Sequence, residues 1–209
     1  MLSETLQAGE ELQAVAQAAL EADGDVFGFR FSQDQLEELT GTLLEFSGCV
    51  FEHCIFEPQS VKRISFVDCV FQKCELSNAK FDNATFQRTY FDNCRMTGVE
   101  FTRGAMMNVA FVECMLDYLS IAETKLDRVN FSDCRMRQSL WSSVKLQKAS
   151  FQNADLIQTQ WMRTSLAGLD MTSCEIEGWS VDLFDLRGLT VTAVQAVQLS
   201  GLLGIVIAP

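Results

Sequence analysis

Eight cysteines and one histidine are the residues of this 209-residue chain whose types could ligate a metal, form disulfides or act as nucleophiles. Their spacing argues against all three roles. Cys54, Cys74, Cys94, Cys114, Cys134 and Cys174 follow a step of twenty, with Ala154 in the single gap, and Cys49 and Cys69 repeat the same step. Tetrahedral zinc needs thiolates that converge on one point, yet there is no Cys-x-x-Cys pair and His53 is the lone imidazole. If twenty residues make one turn of a stacked coil, neighbouring cysteines lie about 4.8 Å apart along parallel directions. That exceeds the roughly 3.8 Å between Cβ atoms of a disulfide. Small buried hydrophobes fit such a column better than ligands do, and neither a metal nor a cofactor is expected.

The elements that would hold this column follow from a finer rhythm. Counting in fives from Phe46, every position to Val191 is large and apolar, 30 in succession, and the residue two before each is small or apolar, as at Cys49, Ala79, Val99 and Ala149. A period of five matches neither a helix at 3.6 nor a flat strand at 2. It suits a short extended unit whose residues i−2 and i point inward while i+1 and i+2 turn the chain. A column of one residue type, Phe51, Phe71, Phe91, Phe111, Phe131 and Phe151, recurs at twenty, so four units close one coil. The fold expected is an all-β solenoid, a quadrilateral β-helix of about 7.5 coils. At the spacing of paired strands its length is roughly 36 Å. Hydrogen bonds run from coil to coil, so both ends need caps.

Three segments result: a helix and capping segment over 1–45, the repeat over 46–191, and a helix and strand over 192–209. The spacing of Leu12, Val15, Ala16, Ala19 and Leu20 predicts a first helix that stops at Asp23-Gly24-Asp25. Ser32 and Gln35 resemble a capping box ahead of Leu36 and Leu39. This amino-terminal segment is strongly acidic, and its charge reads as a solvated face. Thr192 and Gln195 form a second capping box, and Ile205-Val206-Ile207 reads as a short strand. Val194, Val197, Leu199, Leu202, Leu203, Ile205 and Ile207 are more apolar surface than a cap over one coil requires. They predict a two-fold homodimer joined through this end. No apolar run is long enough to cross a bilayer and no secretory signal is evident, which points to the cytoplasm.

The outward charges are uneven. The face of the Phe51 column carries Glu52, Asp92, Glu113, Asp133 and Asp170 against Lys73, and the Phe56 face carries Glu57, Glu75, Asp117, Asp155, Glu175 and Glu177 against Arg95, Arg135 and Arg137. The other two faces are slightly positive, with Lys125, Arg128, Lys145 and Lys148 in a local strip. A formal net charge of −12 opposes direct nucleic-acid binding. Without a nucleophile elbow, a phosphate-binding glycine loop or carboxylates converging in a concave site, catalysis is not expected.

The uninterrupted five-residue repeat resembles the pentapeptide repeat family. Leu186-Arg187-Gly188-Leu189, Leu203-Gly204-Ile205-Val206-Ile207 and Thr164-Ser165-Leu166-Ala167-Gly168-Leu169-Asp170 resemble its quinolone-resistance (Qnr-type) and MfpA-like members. The resemblance implies a right-handed, dimeric rod that imitates DNA, binds type II topoisomerases, chiefly DNA gyrase with topoisomerase IV as the second candidate, and counters fluoroquinolones. Its contact residues would be Glu52, Asp92, Glu113, Asp133, Asp170, Glu75, Asp117, Asp155 and Glu175 on the two acidic faces. The alternative is a structural or interaction rod with another protein partner. The unbroken register leaves no room for the loops that interrupt many Qnr-type members.

Overall fold

The structure is a computed structural model that describes residues 6–9, 11–57, 60, 61 and 63–206. It is a parallel β-solenoid of about eight turns. Every strand pairs with the strand twenty residues away: Val50–Glu52 lies between Arg30–Ser32 and Val70–Gln72, and Lys125–Ser132 pairs residue for residue with Ala105–Val112. The expected quadrilateral follows, because the i residues and their i−2 neighbours make up the buried core.

Phe51, Phe71, Phe91, Phe111, Phe131 and Phe151 stack with ring centroids 4.7, 4.6, 4.7, 4.9 and 5.1 Å apart in turn. Trp141 and Trp161 continue the same habit on another wall at 4.9 Å. Such ring pairs contribute about 0.5–1.5 kcal/mol each beyond the area they bury. The i+2 residues turn the corners in the left-handed region, from Gln33 and His53 through Glu113 and Asp133 to Arg163. Side chains seldom adopt that region. Here each corner N–H donates to the next coil, as His53 N does to Gln72 O at 2.9 Å and Glu113 N to Ser132 O at 3.0 Å.

All eight cysteines are free and buried. Size alone does not account for them. Cys74 Sγ donates to Phe51 O at 3.3 Å and Cys134 Sγ to Phe111 O at 3.4 Å. Thr89 Oγ1 makes the equivalent bond to Phe66 O at 3.1 Å. The i−2 position therefore favours a small side chain that also carries a donor for carbonyls facing the interior. Burial pushes the Cys69 and Cys174 thiols up, which keeps them protonated and poorly nucleophilic.

The coil begins earlier than Phe46. Asp25–Phe27, Arg30–Ser32, Gln35–Leu36 and Thr40–Gly41 pair in register with residues 45–47, 50–52, 55–56 and 60–61. Ser32 and Gln35 thus lie on strands and cap no helix, and residues 25–45 belong to the solenoid. The five-residue count broke at position 41, where a glycine stands in place of a large apolar residue. A Cβ there would lie 2.6 Å from Leu20 Cδ2, so a leucine from outside the coil occupies the missing side chain's space.

That leucine belongs to α1 (Leu12–Glu21), the amino-terminal cap, which buries Leu12 and Ala16. Glu11, the residue before it, makes no side-chain cap. Asp34 Oδ2 instead accepts from Leu12 N at 2.6 Å, a cap supplied by the coil itself. At the other end α2 (Ala193–Ser200) opens with the expected capping box of Thr192 and Gln195. A turn of 3-10 helix over Gly201–Leu203 follows, and Gly204 closes it in the left-handed region. Ile205 and Val206 form no strand, and Ile207 lies outside the described residues. Among the described residues no helix is long and apolar enough to cross a membrane.

Candidate partner-binding surface

The parallel register converts each position of the five-residue unit into a column along the rod, so outward charges meet the residue twenty away or its diagonal neighbours. On the Phe56 face those meetings neutralise three of the six carboxylates. Glu75 pairs with Arg95 at 3.6 Å, Asp117 with Arg135 at 2.5 Å and Asp155 with Arg137 at 2.5 Å. Asp117 is also largely buried and accepts from Arg137 N at 3.1 Å. Asp155, acting through a hydrogen bond, holds Arg137 above the usual arginine range. Of the candidate contacts on this face, Glu175 is exposed and forms no ion pair among the described residues.

The Phe51 face differs. Glu52 is paired with Arg30, but Asp92, Glu113, Asp133 and Asp170 have no basic partner among the described residues. Glu113 and Asp133 occupy the same corner column on successive coils, with Glu113 N donating to Ser132 O. Among the described residues their side-chain hydrogen-bond partners are neutral amides: Asn93 Nδ2 donates to Glu113 Oε2 at 3.4 Å and Asn153 Nδ2 to Asp133 Oδ1 at 3.0 Å. Asp92 lies one coil before Glu113, beside the exposed ring of Tyr90. Partial burial, then the charges of Asp92 and Glu113, push the Tyr90 hydroxyl's pKa up, so it is a neutral donor next to a negative line. Asp170 stands apart near the carboxy-terminal end, where the Thr172 hydroxyl and N–H, at 2.7 and 2.9 Å, pull its pKa down.

The nine acidic candidates therefore do not act as one surface. Asp92, Glu113 and Asp133 form a continuous uncompensated line, Asp170 and Glu175 are isolated free charges, and Glu52, Glu75, Asp117 and Asp155 are bound up in ion pairs. Tyr90, Asn93 and Asn153 were not singled out by charge, though the step of twenty from Glu113 and Asp133 points to both asparagines.

The carboxy-terminal end presents apolar surface. Val194, Val197, Leu203 and Ile205 are exposed, and Val206 is 92% exposed. Leu202 is half-buried and Leu199 packs against the core. Ile207 lies outside the described residues. Leu183 and Phe184 are also exposed, with the Arg187 guanidinium 4.8 Å from the Phe184 ring centre. No group of three or more His, Cys, Asp or Glu side chains among the described residues could hold a metal.

No curated protein matches the chain. Among solved structures, a trypsin-treated variant of QnrB1, a plasmid-mediated fluoroquinolone resistance protein, is 22% identical, with 88% of this chain and 90% of that one covered and a TM-score of 0.44. Full-length QnrB1 is 16% identical over 87% of this chain and 100% of that one, with a TM-score of 0.34. HetL, a pentapeptide repeat protein involved in heterocyst differentiation regulation from the cyanobacterium Nostoc sp. strain PCC 7120, is 11% identical over 79% and 86%, also with a TM-score of 0.34. The sequence profile described as pentapeptide repeat region matches residues 44–121, 84–161 and 105–186 in overlapping segments. With this match spanning most of the coil and a register of twenty throughout, the chain belongs to the pentapeptide repeat family.

Proposed function

We propose that this protein is a DNA-mimicking rod that binds a type II topoisomerase, chiefly DNA gyrase, and protects it from fluoroquinolones. The observation that carries the reading is the line Asp92, Glu113 and Asp133. It sets one uncompensated carboxylate per coil, about 4.8 Å apart, against one phosphate per roughly 3.4 Å along a single DNA strand. Over that stretch the rod offers a basic groove about two-thirds of one strand's charge, on a rigid scaffold that loses little entropy on binding. The sequence resemblance at residues 164–170, 186–189 and 203–207 supports the same partner. The exposed apolar carboxy-terminal patch supports a homodimer, which would lengthen the rod. Glu52, Glu75, Asp117 and Asp155 then serve chiefly to hold the coil's shape, with Asp170 and Glu175 as outlying contacts.

Purified protein is expected to restore supercoiling by gyrase in the presence of ciprofloxacin, or to inhibit supercoiling when added in excess. Asp92→Lys, Glu113→Lys and Asp133→Lys together should abolish either effect while leaving the far-ultraviolet circular dichroism spectrum intact. Raising the salt should weaken the interaction. No effect of the unaltered protein on gyrase or topoisomerase IV at micromolar concentration would overturn the reading.

A further inference from the structure

Across the rod, charged neighbours in one column usually have opposite signs: Asp68 meets Arg88 through two bonds of 2.5 and 2.7 Å, Glu75 meets Arg95, and Lys80 meets Glu100 at 3.4 Å. One place breaks this habit with cations. Lys125 and Lys145 are directly opposed in register on the Phe66 face. Arg128 and Lys148, also twenty apart, border the same two coils. All four are exposed. Arg128 is engaged by Asp127 at 2.8 Å and by Asn108 Oδ1 at 2.6 Å, whereas among the described residues no ion pair is formed by Lys125, Lys145 or Lys148. Like charges directly opposite on neighbouring strands destabilise a sheet, and opposite charges relieve this elsewhere on the same rod.

Next to this square the surface is indented. Ala105 is the small member of a column whose neighbours are Thr85 and Lys125. The gap it leaves is a notch of about 150 Å³ whose apolar lining is Phe86, Ala105, Met106 and Met107, with Thr85, Gln87, Lys125 and Asp127 completing it. A mainly apolar seat for one side chain is thus continuous with a patch of uncompensated cations. We propose that the Phe66 face docks an acidic polypeptide segment of a partner protein, with one apolar side chain in the notch and flanking carboxylates on Lys125, Lys145 and Lys148. Asp127 is taken up by Arg128 at 2.8 Å, and nucleic acid fits this surface less well because a sugar-phosphate backbone has nothing to place on Met107. The docking site lies off the Phe51 face and stands independently of the topoisomerase reading.

The test is a titration of methionine-methyl-labelled protein, followed by NMR at low ionic strength, with three probes. These are a short oligoglutamate peptide with one central leucine, the same peptide with glutamine in place of leucine, and a short DNA duplex. The leucine peptide is expected to shift the Met107 methyl, and the glutamine peptide to bind roughly tenfold more weakly for want of the buried side chain. Lys125→Glu combined with Lys145→Glu should weaken the leucine peptide by at least about tenfold while the other methionine methyls keep their positions, which shows the coil intact. The proposal is overturned if the Met107 methyl does not move, if the two peptides bind equally, or if the duplex binds the same residues more tightly than the leucine peptide.

Discussion

Gln195 is the side chain on which the carboxy-terminal end of the coil depends. In the body of the rod the carbonyl of each i−2 residue accepts from a backbone N–H twenty-one residues on, as Cys134 O does from Asp155 N at 2.9 Å and Ala154 O from Glu175 N at 3.0 Å. The next member of that series, Cys174 O, faces no further coil. Residue 195 still meets it, with its side-chain amide rather than its backbone: Gln195 Nε2 donates to Cys174 O at 2.7 Å and to Met171 O at 2.7 Å. Its Oε1 accepts from Thr192 N at 2.8 Å, and its own N–H donates to Thr192 Oγ1 at 3.2 Å. Gln195→Met keeps the volume and removes these side-chain bonds. Met171 O retains Cys174 N at 2.9 Å, so the main loss is the Cys174 carbonyl, about 1–3 kcal/mol for a buried acceptor left unpaired. Half of the capping box adds about 1 kcal/mol. The sum, about 2–4 kcal/mol, falls on the last coil rather than the whole rod, because each coil of a solenoid is held by its neighbours. Native-state hydrogen exchange is therefore the assay. Amides of residues 174–181 should exchange roughly 30- to 700-fold faster, with the coils around Phe71 unchanged. Thr192→Ala should cost only about 1 kcal/mol, and the double variant should fall short of the sum because the two residues share one box. If Gln195→Met leaves exchange in the last coil within about twofold of the unaltered protein, the amide is not standing in for a missing coil, and the account of this cap fails.

At the opposite end, Leu20→Ala should cost about 2–4 kcal/mol for the cavity it opens beside Gly41, and Gly41→Leu should drive α1 off the coil. The combination of both should be more stable than either alone, measured by helical circular dichroism and amide exchange over Leu12–Glu21. Asp68 is held below the usual carboxylate range, first by its hydrogen bonds to Arg88. A depressed carboxyl contributes stability above its unfolded pKa and loses it as the pH falls through the folded one, so that contribution should vanish only below about pH 4. Arg88→Gln should raise the Asp68 titration midpoint seen by NMR; an unmoved midpoint would show that the pair is not formed in solution. For the carboxy-terminal patch, Leu202→Asp with Leu203→Asp should halve the mass measured by light scattering, and a mass of two chains after that change would place the dimer contact elsewhere.

How far the sequence reveals this molecule depends on whether a feature is set by position within the five-residue unit or by what reaches across coils. Core, register and coil size belong to the first kind. They are legible because Phe51 and its successors recur without insertion, and steric fit admits one reading of that period. Position 41 shows the limit: the rule was broken by a glycine, and the Leu20 that completes it comes from a helix whose docking no local pattern records. Asp34 is the same case, an acid that sequence reading leaves with the solvated charges until the coil brings it to Leu12 N. The charges belong wholly to the second kind. Summed by face, the Phe56 wall looked nearly as negative as the Phe51 wall. Yet Arg135 reaches back to Asp117 and Arg137 forward to Asp155, each eighteen residues away, while Arg30 reaches Glu52 at twenty-two. These diagonal pairs depend on side-chain length and on which corner column each group occupies, so a count by face cannot register them. The same geometry explains why Asp92, Glu113 and Asp133 remain open. The side chains that bond to Glu113 and Asp133 are the neutral amides of Asn93 and Asn153, and Lys73, whose N–H donates to Asp92 O at 2.8 Å, forms no ion pair with Asp92 among the described residues. A single arginine at 93 or 153 would close the line, and on the proposed function Asn93→Arg should reduce gyrase engagement as strongly as removing Glu113 itself.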